Sequence, residues 1–154
     1  MAQNLLVTSQ LDKTVREYDG TTGVFVKVAA SGGALGDPLG LAIGLDGNLL
    51  VSDGQNNQIK RYDRATGAFI DVFASTNVAG PEGMAMHQGA LYVANSNPPQ
   101  GIQQFDAATG VNTGSFCAFT CQRQPTGREN QHSEQPPLCT LLQCRHRRGF
   151  RPRH

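Results

Sequence analysis

A threefold internal repeat limits what this chain can fold into more than any other feature of its sequence. The segment "LLVTSQLDKTVREYDGTTG" starts at Leu5, "LLVSDGQNNQIKRYDRATG" starts 44 residues later at Leu49, and "LYVANSNPPQGIQQFDAATG" starts a further 42 residues on at Leu91. The linking segments "DPLGLAIGLDGN" and "GPEGMAMHQGA" correspond as well. Self-similarity at a near-constant period of this length is typical of arrays in which supersecondary units stack on one another.

Each repeat predicts four short β-strands. In the best-defined unit they cover Leu41–Ile43, Leu49–Val51, Gln58–Tyr62 and Ala68–Phe73. Asp46-Gly47 lies between the first two and is a strong hairpin signal, because glycine adopts positive φ without steric cost. No segment keeps a 3.6-residue hydrophobic period, so the sequence predicts an all-β chain.

The third and fourth strands of each repeat are apolar on both faces. Ile59 and Tyr62 are three positions apart, so they point to opposite faces of the third strand. In the fourth strand, simple alternation places Ile70 and Val72 on one face and Phe69 and Phe73 on the other. Such strands belong to a sheet covered on both sides. Four-stranded antiparallel units of about 43 residues that stack face to face are typical of the blades of a β-propeller, so we predict a partial β-propeller.

An Asp-x-x-Thr-Gly segment recurs between the third and fourth strands. It occurs as Asp19/Thr22/Gly23, Asp63/Thr66/Gly67 and Asp106/Thr109/Gly110. We expect a turn in which the Asp side chain accepts backbone N–H groups and the Gly is left-handed. A calcium loop is a weaker interpretation, because one carboxylate per loop is too few for that cation.

The stretch "PLGLAIGLDGNLLVSDGQNNQIKRYDRATGAF" resembles the NHL-type six-bladed propellers, a group that includes gluconolactonase-like and streptogramin-lyase-like proteins. The shared features are Pro-x-Gly-Leu-Ala, Asp46-Gly47-Asn48-Leu49, and Asn57 with Ile59 and Tyr62-Asp63. The resemblance implies that residues 1–116 form incomplete NHL-like repeats, with units 5–48, 49–90 and 91–116 amounting to about two and a half blades.

The composition changes abruptly after Phe116. Residues 1–116 contain six basic and ten acidic side chains, whereas residues 117–154 contain seven arginines, two glutamates and all four cysteines. We expect this basic Cys/Arg/Pro-rich tail to be disordered and to derive from a shifted reading frame. A zinc site at Cys117, Cys121, Cys139 and Cys144 is a weaker interpretation, because the cysteine spacing is poor for zinc. A basic arm that binds nucleic acid is another weaker interpretation, because the tail lacks lysines and interleaved aromatic residues.

Candidate site residues follow the second strands and the linking segments. Asp53 and Asn95 occupy equivalent positions, with Ser9 in the first unit. The resemblance to lactonase-like propellers implies that Glu82, Asn95 and Asp53 bind a ligand, with a divalent cation such as calcium as the alternative cofactor in a complete propeller. The residues alone favour turn and capping roles. His87, a base in a lyase-like alternative, precedes Gln88-Gly89 and is better interpreted as a turn residue.

The functional expectation is a binding or interaction scaffold without a cofactor, and the alternative is the remnant of a propeller enzyme, a metal-dependent lactonase or a lyase. The partner is an unidentified protein or small molecule; nucleic acid is not expected, nor is a membrane, since no apolar run approaches the roughly 18 residues of a spanning helix. The N-terminal residues do not resemble a secretory signal, and the sequence assigns no compartment. Self-association is expected through exposed blade faces that carry residues such as Ile59, Tyr62, Val72 and Phe73.

Overall fold

The computed structural model describes residues 4–98 and 100–118, and all regular structure in this part of the chain is β. The strands are β1 (Leu5–Ser9), β2 (Thr14–Tyr18), β3 (Phe25–Ala30), β4 (Pro38–Ile43), β5 (Leu49–Asp53), β6 (Gln58–Tyr62), β7 (Phe69–Ala74), β8 (Pro81–His87), β9 (Ala90–Asn95), β10 (Gly101–Asp106) and β11 (Asn112–Ala118). They form three antiparallel sheets: sheet 1 (β1-β2-β3), sheet 2 (β4-β5-β6-β7) and sheet 3 (β8-β9-β10-β11). The predicted fold class and the four-stranded antiparallel blade are therefore confirmed.

The sheets are offset by one strand from the repeat units defined by sequence. The unit boundaries at 48/49 and 90/91 fall inside the β4–β5 and β8–β9 hairpins, because each of these sheets begins with the strand of its linking segment. Strand β1 corresponds in sequence to β5 and β9, so sheet 1 begins with a second strand. Within the described residues, only one edge of β1 is paired, to β2.

The three Asp-x-x-Thr-Gly turns form as the sequence predicts. The Asp63 carboxylate accepts the backbone N–H groups of Ala65 (3.1 Å) and Thr66 (2.7 Å) and the Thr66 hydroxyl (2.7 Å). Gly67 then adopts φ +75°. Asp19 and Asp106 repeat this pattern. These hydrogen bonds lower the pKa of all three carboxyls below its usual value.

Two separate hydrophobic cores lie between the sheets of the described residues. Core A, between sheets 1 and 2, consists of Val15, Ala29, Ala30, Leu35, Leu49, Val51 and Tyr62. Core B, between sheets 2 and 3, consists of Leu50, Ile59, Phe73, Ala74, Val78, Leu91, Val93 and Phe105. Ile59 and Tyr62 thus point to opposite faces of sheet 2, as alternation predicts, and sheet 2 is the middle layer of the described structure.

The central position of sheet 2 corrects one expectation from the sequence. From the number of repeats, we expect Ile59, Tyr62 and Phe73 to lie on solvent-exposed outer faces of the stack of sheets. In the structure Ile59 and Tyr62 are fully buried and Phe73 is 9% exposed. They are covered because sheets flank sheet 2 on both sides. Of the four residues predicted to be exposed, only Val72 is, at 42%.

A β-bulge corrects a second expectation. Simple alternation predicts that Phe69 and Phe73 share a face, but the β6–β7 register shifts between Ile59 and Lys60 and again between Arg61 and Tyr62. Phe69 packs edge-to-face on Tyr62, with ring centroids 5.7 Å apart, whereas Phe73 lies in core B. The shift between Arg61 and Tyr62 leaves one extra residue, Ile70, between Phe69 and Asp71, so the alternation reverses once before Phe73 and the two rings point to opposite sides.

The predicted tail lies almost wholly outside the described residues. Cys117 and Ala118, the first two residues of the predicted tail, lie in strand β11 and pair with Ile102 and Gly101 of β10, so the predicted start of the tail is two residues too early. The predictions of disorder and of a shifted frame for residues 119–154 fall outside the described residues. Within residues 4–98 and 100–118, no helix has the length and apolar character needed to cross a membrane.

Candidate functional site

Asp53 ends β5 and is fully buried. Its Oδ2 accepts hydrogen bonds from Lys60 Nζ (2.8 Å), Asn56 Nδ2 (2.7 Å) and the Gly36 N–H (3.0 Å). Its Oδ1 accepts the N–H groups of Asp37 (3.1 Å) and Asn56 (3.2 Å). These donors use all of the roughly four lone-pair positions that a carboxylate offers.

The electrostatics of Asp53 follow from this set of donors. Burial by itself would raise the pKa of the carboxyl, but the hydrogen bonds from Lys60, Asn56 and the two backbone N–H groups outweigh burial and lower the pKa to about 2. The Lys60 side chain is 2% exposed and also donates to the carbonyl oxygens of Gly33 (2.8 Å) and Ala34 (2.7 Å). Asp53 and Lys60 therefore hold the segment between sheets 1 and 2 against the end of β5 by hydrogen bonds.

Asn95 occupies the equivalent position at the end of β9 and is 5% exposed. Its Nδ2 donates to the Asn77 carbonyl oxygen (2.8 Å), while its Oδ1 is buried and has no hydrogen-bond partner within the described part of the chain. Gln103, also buried, stands in β10 where β6 has Lys60. Sheet 3 therefore carries a neutral pair of side chains at the positions of the charged pair in sheet 2.

Glu82 lies near the start of β8, and its side chain is exposed. Its carbonyl oxygen accepts the Ser52 hydroxyl (2.8 Å), and that hydroxyl in turn accepts the Gly40 N–H (2.6 Å). The Ser52 hydroxyl thus bridges the backbones of β4 and β8 near their starts. The Glu82 carboxylate makes no hydrogen bond or ion pair to any residue that the structure describes.

A shallow, open pocket of about 410 Å³ lies where the three sheets meet at their first strands. It is lined by Thr8, Gln10, Pro38, Leu39, Gly40, Glu82 and Gly83. Neither Asp53 nor Asn95 lines it, so the structure does not bring the three predicted residues into one pocket. We call these seven residues the rim pocket.

Thr8 and Gln10 are site residues that the sequence alone did not single out. The signal for Thr8 was its alignment with Ser52: the Ser52 hydroxyl is hydrogen-bonded to two backbone groups, whereas the Thr8 and Gln10 side chains have no hydrogen-bond partner in residues 4–98 and 100–118. The missing partners become apparent only once the three sheets are assembled.

The described residues contain no group of three or more His, Cys, Asp and Glu side chains placed to hold a metal ion. His87 is exposed at the end of β8, directly before Gln88 (φ 47°) and Gly89 (φ 77°) of the β8–β9 turn. His87 does not line the rim pocket.

No protein-family profile and no curated protein sequence matches this chain. Solved structures do resemble it. Hydrazine synthase from Kuenenia stuttgartiensis matches 73% of this chain and 32% of its own, with a TM-score of 0.60 and 20% identity. An auxiliary nutrient binding protein from Bacteroides ovatus matches 75% of this chain and 27% of its own, with a TM-score of 0.57 and 22% identity.

Glutaminyl cyclase from Myxococcus xanthus matches 73% of this chain and 47% of its own, with a TM-score of 0.55 and 15% identity. The chain thus spans less than half the length of each of these three proteins. At these identities the likeness concerns the fold. Consecutive four-stranded antiparallel sheets, stacked face to face and similar to these structures, give the chain a propeller-type fold.

Proposed function

We propose that the chain is a binding scaffold of NHL-type propeller repeats and that its ligand occupies the rim pocket. The observation that carries the proposal is that Thr8, Gln10 and Glu82 line one pocket and have no hydrogen-bond partner for their side chains among the described residues. Elsewhere the polar side chains near the same strand ends, such as Asp53 and Ser52, are used within the fold. Convergent polar groups without internal partners at a concave surface are typical of ligand sites.

The lining indicates the class of ligand. Glu82 is the only charged residue of the rim pocket, while Pro38 and Leu39 supply an apolar wall. A carboxylate beside hydroxyl and amide groups favours a ligand with a primary ammonium group and a short apolar stem. We therefore propose that a small organic ammonium compound, or an amino-terminal peptide end, binds by forming an ion pair with Glu82.

Binding is favoured over catalysis as the role of this site. The lactonase alternative needs Glu82, Asn95 and Asp53 around one cation, but the Asp53 carboxylate already accepts five hydrogen bonds, and neither Asp53 nor Asn95 lines the rim pocket with Glu82. No bond-breaking step is assigned to the pocket residues.

The test is ligand-observed NMR with three probes of similar size: n-butylamine, n-butanol and butyrate. Saturation transfer is expected for butylamine and not for butyrate, because the carboxylate of Glu82 attracts the first and repels the second. Glu82→Gln keeps the size of the side chain, and it should weaken butylamine binding at least about tenfold, or ~1.4 kcal/mol.

Asp71→Asn is the matched control. It also removes one negative charge, but Asp71 lies in β7 and pairs with Arg61, away from the rim pocket. Equal binding of butylamine by the native chain and the Glu82→Gln variant, or equal binding of all three probes, would contradict the proposal.

A further inference from the structure

The outer face of sheet 1 repeats the face that sheet 2 packs against sheet 1. It carries Leu5, Val7, Tyr18 and Phe25, which correspond in register to Leu49, Val51, Tyr62 and Phe69. Even the ring contacts recur: Tyr18 and Phe25 lie 5.8 Å apart at 72°, and Tyr62 and Phe69 lie 5.7 Å apart at 67°. In sheet 2 the two aliphatic side chains are fully buried in core A, whereas in sheet 1 Leu5 and Val7 are 59% and 40% exposed.

The outer face of sheet 3 repeats the opposite face of sheet 2. Its residues Tyr92, Ile102 and Phe116 occupy the register positions of three residues of sheet 2. Those three residues, Leu50, Ile59 and Phe73, lie in core B. Tyr92 and Phe116 pack edge-to-face at 5.0 Å, and Phe116 is 43% exposed. The two outer faces therefore carry the two halves of the contact that the chain makes internally between neighbouring sheets.

The Asp-x-x-Thr-Gly turns provide a second, independent match. A Cβ added at Gly67 would lie 3.1 Å from the carbonyl oxygen of Ala29, and one at Gly110 would meet the carbonyl oxygen of Phe73, because each turn rests on the last strand of the preceding sheet. Gly23 has the same positive φ, yet nothing lies within 4 Å of such a Cβ. Beside it a hollow of about 560 Å³ is lined by Asn4, Leu5, Tyr18, Asp19, Gly20 and Gly23.

We propose that a second copy of this chain packs the outer face of its sheet 3 onto the outer face of sheet 1, head to tail. The Gly23 turn of one copy then rests on the backbone at Phe116 of the other, since Phe116 takes the place that Ala29 and Phe73 have in the internal contacts. The occupant is a second copy because the surface that fits sheet 1 is present on sheet 3 of the same chain.

The geometry of stacking sets the number of copies. Two copies contribute the three described sheets each, and the total of six falls within the roughly four to eight blades around which propellers close. Each copy then covers both outer faces of the other, so the ring closes and no apolar face is left for further growth. This assembly is independent of the rim pocket.

The test is sedimentation velocity of the full-length chain over a range of concentrations. A dimer is expected. Phe25→Arg on sheet 1 and Phe116→Arg on sheet 3 should each raise the dissociation constant at least about tenfold. The reason is that the dimer contains two identical contacts, and each substitution places a charge in both of them. Leu11→Arg is the control, because Leu11 is 95% exposed in the β1–β2 loop and lies on neither face.

Mixing the two variants separates a head-to-tail contact from a symmetric one. A Phe25→Arg chain keeps an intact sheet 3, and a Phe116→Arg chain keeps an intact sheet 1, so the mixture should form a heterodimer through the one native contact. Its recovery also shows that both variants fold. A monomeric native chain would overturn the proposal, as would a loss of association in only one variant or a mixture that stays monomeric.

Discussion

Asp53 and Lys60 show how one position can change its chemistry between repeats without changing its place in the fold. Their charged atoms lie 2.8 Å apart and both side chains are buried, whereas sheet 3 has Asn95 and Gln103 at the same positions. Removing one partner of a buried ion pair leaves an uncompensated charge, which is costly, whereas replacing both with neutral groups costs much less.

This comparison predicts the result of a charge-removal series. Lys60→Gln alone should lower the free energy of unfolding by about 3–5 kcal/mol, because Asp53 would remain charged and buried. The double variant Asp53→Asn/Lys60→Gln copies the pair of sheet 3 and should recover at least half of that loss. Urea unfolding followed by circular dichroism measures both values. A double variant that is less stable than Lys60→Gln would show that the two positions are not interchangeable between sheets.

The low pKa of Asp53 also predicts a pH dependence. The carboxyl has a pKa of about 2 in the folded chain against an ordinary value of 3.8, so its contribution to stability is present above that ordinary value and is lost as the pH falls from there toward 2. The loss should reach about 2 kcal/mol. Urea unfolding at a series of pH values across this range measures it.

The double variant Asp53→Asn/Lys60→Gln isolates this contribution. Some acid sensitivity should persist in it, because Glu17 and Asp46 also have lowered pKa values. For Glu17 the cause is hydrogen bonding from Asn4 and Arg64; for Asp46 burial raises the pKa, but hydrogen bonds from Asn48 and the charge of Arg61 outweigh burial. If the free energy of unfolding fell equally with pH in the native chain and in the double variant over this range, Asp53 would not be the group that titrates.

At the scale of the element, the β6–β7 turn both closes a hairpin and contacts the neighbouring sheet. Gly67 needs positive φ for the turn, and the backbone of Ala29 leaves little room for a side chain beside it. Gly47 in the β4–β5 turn has a similar φ of +80°, but no atom lies within 4 Å of the place that a Cβ would take there. The two glycines therefore differ in packing and not in backbone conformation.

Alanine at these two glycines should separate the effects. Gly47→Ala should lower the free energy of unfolding by about 1–2 kcal/mol through strain of the left-handed backbone. Gly67→Ala should cost about 1–3 kcal/mol more, because the added methyl group pushes sheets 1 and 2 apart. Thermal and urea unfolding of both variants provide the comparison. Equal losses of unfolding free energy in the two variants would mean that the Gly67 turn does not pack against sheet 1.

At the scale of the whole molecule, stability should decrease from the middle layer outward. Among the described residues, sheet 2 packs on cores A and B with its two faces, whereas sheets 1 and 3 each pack one face on a core. In repeat arrays the stability of a unit depends on its contacts with its neighbours, so the units at the ends open more readily.

Hydrogen exchange followed by mass spectrometry should show this order. Peptides from β5 and β6 are expected to exchange slowest, and those from β1 and β11 fastest, in a dilute sample. Raising the protein concentration should slow exchange in β3 and β11 if copies pack head to tail. Uniform exchange across all three sheets in the dilute sample would contradict the layered picture.

Much of this architecture was predictable because it depends on local signals. The Asp-Gly hairpin, the Asp-x-x-Thr-Gly turns and the apolar strands each involve residues that are close in sequence. All three formed, and in the best-defined unit the strand ends differ from the prediction by up to three residues. The repeat period indicated the length of each unit. Strands with apolar residues on both faces, such as β6, indicated that the sheets must stack.

The tertiary structure decided what depends on distant contacts. The β6–β7 bulge sends Phe69 and Phe73 to opposite sides of sheet 2, because an extra residue reverses strand alternation. Asp53 is engaged inside the fold and the rim pocket is assembled from three sheets, because these partners lie many residues apart along the chain. The sequence by itself determined the repeat and its strands; stacking determined which faces are buried and which polar groups remain for a ligand, since burial belongs to neighbouring sheets and not to any one segment.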